Sequence, residues 1–236
     1  MTVVRAMFVL HIFGVCMLRQ FIPTRFLLAT CLLLLLFFLQ ACTEDANRIY
    51  LYGQFYYGMP IKEVLNETQS TECSDNFNHL CRRNLVPFFK ESWYQRFIFS
   101  KDRLVGVQLT HTDPKKVRGL IDGWLDSGYR YIPVAIKSAG RELDLYAEIR
   151  ISGKEGARKA VQEFSRETAR DLHNDYIYLD LDRRENLLNK MYSYQMILNS
   201  GPRDLIGIEE SVDDKYISIT FIAPVAEWQD KGSPKP

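Results

Sequence analysis

Cysteine is the residue whose number and spacing most restrict the chemistry of this chain. Five cysteines are present, and Cys73 and Cys81 form a close pair in the middle region. Their spacing is not the C-x-x-C of dithiol redox catalysts. A zinc site would need two more ligands, and although His79 is near, no second cluster of ligand-type residues accompanies it. In an oxidising compartment we expect one Cys73–Cys81 disulfide closing a short loop, with metal binding or free thiols as the alternatives.

Histidines and glycines form no recognisable catalytic motif. His79, His111 and His173 are far apart and lie in neither an H-x-x-x-H nor an H-E-x-x-H arrangement. We expect each to be a surface or locally hydrogen-bonded side chain rather than a ligand or base. Phosphate-binding glycine loops and the G-x-S-x-G nucleophile motif are also missing from the sequence. The motifs therefore predict no catalytic residue, no cofactor and no metal.

Three acidic residues, Asp180, Asp182 and Glu185, could place carboxylates near the end of a strand. Strand alternation puts Asp180 and Asp182 on one side, as a cation site or an acid–base pair would require. A solvent-facing strand edge produces the same pattern, and the glycine-bearing loop of the calcium motif is missing. We interpret these residues as a solvated edge.

Aromatic residues are concentrated between Tyr50 and Tyr57. Tyr50, Tyr52, Phe55, Tyr56 and Tyr57 could line a groove for a peptide or an apolar ligand. Strand aromatics are more commonly core residues or cross-strand pairs, so we expect packing to be their main role.

An uncharged apolar run precedes all of these residues, from Phe26 to Leu39. It has fourteen residues, fewer than the roughly 20 that span a bilayer as a helix. With Arg19 and Arg25 before it, the run has the pattern of a secretory signal peptide. A second apolar patch, Met7 to Leu18, is redundant for export. We expect translation to begin at Met17, and a membrane hairpin through both patches is the alternative.

The residues that end this run, Leu39-Gln40-Ala41-Cys42, resemble the lipobox of bacterial lipoprotein signal peptides. The resemblance implies a signal peptide at 1–41, a diacylglyceryl group and further acyl chains such as palmitate on Cys42, and a lipidated tether at 42–48. Thr43 stands where aspartate would retain enterobacterial lipoproteins in the inner membrane. By that resemblance we expect the outer membrane, with the inner membrane as the alternative.

Charge gives no indication of nucleic-acid binding. Residues after position 41 comprise 27 basic and 29 acidic side chains, a net charge of about −2. Nucleic-acid binding requires a clustered basic face, and none is visible. The aromatic content of 13% favours a packed fold over a disordered tether.

Apolar periodicity predicts an α+β fold, with antiparallel sheets built from β-hairpins and packed with about three or four helices. We divide it into a module at 49–112, a second module at 113–226 and a flexible tail at 227–236. The predicted strands cover 49–57, 93–99, 103–109, 131–137, 143–152, 176–181, 205–212 and 216–223. The first predicted helix begins at Pro60, and three further helices are predicted over 113–128, 153–172 and 184–199.

Residues 55–110 resemble a family of small outer-membrane lipoproteins. Gly58-Met59 opens a short helix containing Glu63-Val64, and a strand, a turn and the strand Leu104-Val105-Gly106-Val107 follow. This order is similar to that of the BamE/SmpA-like lipoproteins of outer-membrane assembly. The resemblance implies two helices against a three-stranded sheet and a role in envelope scaffolding, with no active site. The cysteine-bearing insertion between helix and hairpin departs from the family pattern.

These features predict a membrane-anchored bacterial lipoprotein of the cell envelope that faces the periplasm. We expect a non-enzymatic interaction or scaffold module, held to the membrane by its N-terminal lipid and contacting envelope proteins. The alternative is a periplasm-facing ligand-binding protein or hydrolase whose site residues are distant in sequence. A cleft with convergent polar groups would favour ligand binding, whereas an exposed apolar patch or a free strand edge would favour an interaction module.

Overall fold

A computed structural model of the protein describes residues 48–126, 130–138, 140–168, 174–180 and 190–232. Twelve strands lie within these ranges: β1 (Tyr50–Tyr52), β2 (Phe55–Tyr56), β3 (Thr71–Cys73), β4 (Asn76–Cys81), β5 (Val86–Phe88), β6 (Glu91–Ser100), β7 (Arg103–His111), β8 (Tyr131–Ser138), β9 (Arg141–Asp144), β10 (Asn174–Asp180), β11 (Gly207–Val212) and β12 (Ile217–Ile222). Five helices accompany them: α1 (Ile61–Thr68), α2 (Pro114–Asp126), α3 (Leu145–Glu167), α4 (Tyr194–Ser200) and α5 (Pro224–Lys231).

One antiparallel sheet organises the fold. Nine strands follow the order β3-β4-β6-β7-β12-β11-β10-β8-β9, and β5 pairs with β6 beside this path. Strands β1 and β2 form a separate two-stranded sheet. The pairing of β7 with β12 joins residues of the two predicted modules, for example Leu109 opposite Ile219. The structure confirms the predicted α+β class with hairpin-built antiparallel sheets.

The hairpin of β6 and β7 forms the centre of the N-terminal half and was predicted from its alternation. Trp93, Phe97 and Leu109 are fully buried, whereas the intervening Tyr94 remains exposed. The turn uses Lys101 and Asp102, both at positive φ, as a two-residue hairpin turn requires. Alternating burial of this kind fixes the register, because a one-residue slip would turn every apolar side chain away from the core.

Helices cover both faces of the sheet. On one face, α2 packs its buried residues Val117, Ile121 and Leu125 into the main apolar cluster. Helix α3 forms a second cluster that includes Ile136 of β8 and Phe164 of the helix itself. The opposite face of β8 and β10 meets α4 and α5 in a third cluster. The sheet therefore separates apolar cores on its two sides.

The predicted strand over 143–152 is wrong beyond Asp144. Strand β9 ends at that residue, and α3 begins at Leu145. The Asp144 carboxylate accepts a hydrogen bond from the N–H of Ala147 at 2.8 Å, which caps the helix. The predicted helix start at Gly153 corresponds to a break inside α3, where Gly153 has φ +67°. Alternating apolar residues in this stretch resemble a strand, and the cap determines the helix instead.

Other predicted elements differ in their bounds. The first strand predicted at 49–57 is interrupted by Gly53 at φ +58°, which separates β1 from β2. The helix predicted from Arg184 begins at Tyr194 within the described residues, after Ser193 caps it. The sequence predicts a flexible tail at 227–236, whereas the structure has helix α5 over Pro224–Lys231, with Pro224 in its first turn. Proline suits that position because its missing N–H would have no partner there.

The predicted signal peptide, Cys42 and most of the tether lie outside the described residues. Residues from Ile49 onward belong to one compact unit. None of the helices in the described ranges is both long and apolar enough to cross a membrane.

Candidate functional site

The predicted Cys73–Cys81 disulfide is present. It links β3 to β4 with a Cα–Cα distance of 5.1 Å, within the range that disulfides adopt. Cys73 is buried. A thiolate is needed for nucleophilic or metal-binding chemistry, so the bonded pair is structural.

The histidines with described positions are not brought together. His111 is mostly buried, accepts a hydrogen bond from the N–H of Asp113 at 3.0 Å and packs against Trp93. His79 lies on β4, where burial is the main cause that lowers its pKa, followed by the nearby Arg96 cation. His173 lies outside the described residues. His111 thus has the local hydrogen-bonding role expected of it.

Asp180 forms an ion pair at the end of β10. Its carboxylate accepts hydrogen bonds from both Nε and Nη2 of Arg130 in a bidentate arrangement, with the closest N–O distance 2.5 Å. Asp182 and Glu185 lie outside the described residues. Across the described ranges, no group of three or more His, Cys, Asp or Glu side chains is arranged to hold a metal ion.

The five aromatic residues considered for a groove lie in different environments in the structure. Phe55 is buried against Phe97. Tyr56 donates a hydrogen bond to Glu63, and Tyr57 donates one to Asp230. Packing is therefore their main role, as expected. Tyr50 pairs edge-on with Tyr56.

Tyr52 belongs to a different group, which we call the aromatic cluster. Its six members are Tyr52, Phe88, Phe89, Trp124, Tyr131 and Phe221, which are joined by ring contacts with centroid distances between 4.2 and 6.3 Å. Five of the six are only half-buried, and Phe221 is the buried exception. These residues come from β1, β5, the β5–β6 turn, α2, β8 and β12, so no single stretch of sequence could reveal the cluster.

The β5–β6 turn places Phe89 in this cluster through an unusual backbone. Phe89 and Lys90 both have positive φ, at 50° and 63°. Two-residue hairpin turns of this type favour asparagine and glycine, and a bulky side chain in this region is strained. Phe89 contacts Trp124 at 5.4 Å, and this packing offsets part of the strain.

A cleft lies beside α2. It encloses about 350 Å³, at the small end of ligand pockets. Its lining comes from the start of α2, from β10 and from the end of β11 and the turn that follows: Pro114, Lys115, Arg118, Asn174, Tyr176, Val212, Asp213 and Asp214.

Local sequence fixes both walls of this cleft. Pro114 occupies the first turn of α2, and Asp113 accepts a hydrogen bond from the N–H of Lys116 at 3.2 Å. At the other wall, Asp213 accepts a hydrogen bond from the N–H of Tyr216 at 3.0 Å. Both are side-chain caps on a backbone turn, so each wall has a defined position.

Glu210 lies beside the cleft residue Tyr176, outside the cleft lining, and is only 2% exposed. It pairs across the sheet with Tyr176, and its side chain shares a face with the cleft residues Tyr176 and Val212. One carboxyl oxygen accepts a hydrogen bond from the hydroxyl of Tyr178 at 3.4 Å. The other, Oε1, has no hydrogen-bond partner among the described residues.

The surroundings of Glu210 favour its neutral form. Burial is the main cause that raises the pKa of Glu210, and Asp122 adds to it, whereas Arg118 and the hydrogen bond from Tyr178 act in the opposite direction. Burial likewise raises the pKa of the Tyr178 hydroxyl. The protonated form of a carboxyl can donate a hydrogen bond, whereas the ionised form can only accept one.

Sequence reasoning found neither the aromatic cluster nor the cleft. Glu210 occurs in an ordinary acidic pair, Glu209-Glu210, and neither residue carries a motif. The available signal was the cap Asp113-Pro114, which correctly predicts the start of α2 and hence one wall of the cleft.

Comparison with known proteins gives no further assignment. The chain matches no protein-family model, no curated protein and no solved structure.

Proposed function

We propose that this protein is a lipid-anchored lipoprotein of the bacterial cell envelope that faces the periplasm and acts by binding other envelope components rather than by catalysis. The observation that carries the proposal is Leu39-Gln40-Ala41-Cys42 at the end of the uncharged run, preceded by basic residues. Several acyl chains on Cys42 would anchor the chain stably, where a single chain is marginal.

The disulfide supports export. Disulfides form and persist in oxidising compartments such as the periplasm, and Cys73 and Cys81 are bonded across β3 and β4. The resemblance of residues 55–110 to BamE/SmpA-like lipoproteins, together with Thr43 after the lipidated cysteine, favours the outer membrane.

The aromatic cluster supports the interaction role. Aromatic residues are enriched in protein interfaces and supply most of their binding energy. Backbone strain is also concentrated at functional sites, and Phe89 holds its ring in the cluster at a positive φ. The aromatic cluster is thus the surface on which we expect an envelope partner to bind.

Intact mass and membrane fractionation of the native protein test the anchor, with Cys42→Ala as the comparison. We expect the wild-type chain to begin at Cys42 and to carry an increment of acyl size. The variant should keep its leader or become soluble. A native chain that begins at Met1 or Met17 without lipid would overturn the proposed anchor and its membrane address.

Photo-crosslinking tests the interaction surface. A photoreactive phenylalanine analogue at Phe89 should crosslink to an envelope protein in intact cells. The matched control carries the analogue at Ile151, which is 81% exposed on α3 and outside the cluster. Equal crosslinking from both positions, or none from Phe89, would count against the aromatic cluster as the binding surface.

The cleft beside α2 favours a second candidate, a ligand-binding protein of the same compartment. It is concave and has polar groups on both walls. Such convergence of polar groups is typical of small-molecule sites.

A further inference from the structure

The cleft beside α2 keeps its opposite charges on opposite walls. Lys115 and Arg118 come from the helix, whereas Asp213 and Asp214 come from the turn after β11. Within the described ranges, neither Lys115 nor Arg118 forms an ion pair with Asp214. Arg118 is 3.8 Å from Asp122, one turn further along the same helix, and both side chains are half-exposed.

Two of these charges remain available to a ligand. Within the described ranges, Lys115 and Asp214 each lack a hydrogen bond or ion pair from their side chains, and both are exposed. The Asn174 amide, also in the lining, makes no side-chain hydrogen bond to another described residue. The walls therefore present a cation, an anion and an amide that solvent alone satisfies in the described part of the chain.

Glu210 pairs with the lining residue Tyr176 but does not itself line the cleft. Buried carboxyl oxygens are normally hydrogen-bonded, and Oε1 has no such partner in the described residues. Its side chain projects from the same sheet face as Tyr176 and Val212, which form the floor of the cleft. Because Oε1 is shielded from solvent, a ligand in the cleft would contact the lining residues rather than this oxygen.

We propose that this cleft binds a small zwitterion, a short peptide with both ends free, whose carboxylate lies against Lys115 and Arg118 and whose ammonium lies against Asp214. This deepens the second candidate function, ligand binding, and rests on it. A simple anion would meet the acidic wall and a simple cation the basic wall, whereas a zwitterion satisfies both. The volume of about 350 Å³ is suited to such a compact molecule.

Calorimetric titration of the full chain in a mild detergent tests the proposal with four alanine dipeptides. They are Ala-Ala with free ends, its N-acetyl form, its C-terminal amide and the form blocked at both ends. Hydrogen bonds to charged groups contribute about 1.5–3 kcal/mol, or roughly tenfold or more in affinity. We therefore expect each block to weaken binding about tenfold, and the doubly blocked peptide to bind most weakly.

Variants locate the two ends of the peptide. Lys115→Gln with Arg118→Gln should weaken binding of Ala-Ala about tenfold and leave binding of the C-terminal amide unchanged. Asp214→Asn should weaken binding of Ala-Ala and leave that of the N-acetyl form unchanged. The matched controls, Lys159→Gln and Asp126→Asn, remove exposed charges outside the cleft lining and should bind like wild type.

The outcomes separate the ligand class from the site itself. Equal affinity for all four peptides, with loss in the cleft variants, would retain a ligand site and overturn the zwitterion. Equal loss in the control variants would overturn binding at the cleft. No binding of any peptide at about 10 mM, where a dissociation constant of about 1 mM is readily detected, would overturn the zwitterion. It would leave the lipid anchor at Cys42 and the binding of ligands of another class unaffected.

Discussion

Glu210→Gln should make the stability of this protein less sensitive to pH. The substitution keeps the shape of the side chain and removes a carboxyl that can ionise. Burial and Asp122 raise the pKa of Glu210 in the folded protein, against the opposing effects of Arg118 and Tyr178. The folded protein therefore holds this proton more tightly than the unfolded chain does. The free energy of unfolding should fall as the pH rises between the two pKa values.

The magnitude follows from the linkage between pKa and stability. One pKa unit corresponds to about 1.4 kcal/mol. From the ordinary glutamate pKa of 4.5 upward, wild type should lose up to about 1.4 kcal/mol per pH unit relative to Glu210→Gln. The loss should level off once the pH exceeds the folded pKa. Below the unfolded pKa the difference between the two proteins should be constant.

Urea unfolding at a series of pH values, from about 3.5 to about 8.5, measures this difference. Glu163→Gln is the matched control, because it removes one carboxylate from an exposed position on α3. The reasoning is refuted if the difference in stability between Glu210→Gln and wild type is the same at every pH. The reasoning is also refuted if the stability of Glu210→Gln minus that of wild type decreases as the pH rises.

Three further predictions concern the fold. Cys73→Ser should lower the free energy of unfolding, measured in urea, by about 2.5 kcal/mol, because the bond to Cys81 closes a loop of sequence separation 8. Reduction of the wild-type protein should cost a similar amount. A far smaller loss would contradict the loop-entropy argument. Trp93→Ala should lower the free energy of unfolding by about 3–5 kcal/mol, because Trp93 is fully buried. Tyr94→Ala should change it by less than about 0.5 kcal/mol, because Tyr94 is 56% exposed. Similar losses in the two variants would contradict the register of β6. Asp144→Ala should lower the free energy of unfolding by about 1–3 kcal/mol, as measured by thermal or urea unfolding. The reason is that the Asp144 carboxylate accepts hydrogen bonds from backbone N–H groups at the starts of α3 and α4. No loss of stability would mean that neither hydrogen bond contributes.

Local sequence was sufficient wherever neighbouring residues alone determine the structure. Alternating burial and a short turn identify the β6–β7 hairpin, and Asp113-Pro114 identifies the start of α2. The Cys73–Cys81 pair also followed from spacing and the expected compartment. In each case the residues that carry the signal are close together in the chain.

Stretches with two compatible patterns needed tertiary contacts. Leu145, Ala147, Ile149 and Ile151 alternate as in a strand, but Ile151 is 81% exposed at the surface of a helix. Asp144 decides the outcome, because its two carboxyl oxygens accept hydrogen bonds from α3 and from Tyr194, fifty positions away. Periodicity cannot reveal a partner so far along the chain.

The amino-acid sequence by itself predicted the α+β class and the disulfide, which the structure confirms. The export signal and the lipid anchor at Cys42 stay predictions from the sequence. Only the tertiary structure decided which residues share a site. Arg118 comes from α2, Tyr178 from β10 and Glu210 from β11, and the antiparallel register places the last two on one sheet face beneath the helix. Long-range strand pairing depends on burial across the whole sheet rather than on any local signal, which is why the cleft emerges only when the chain is folded.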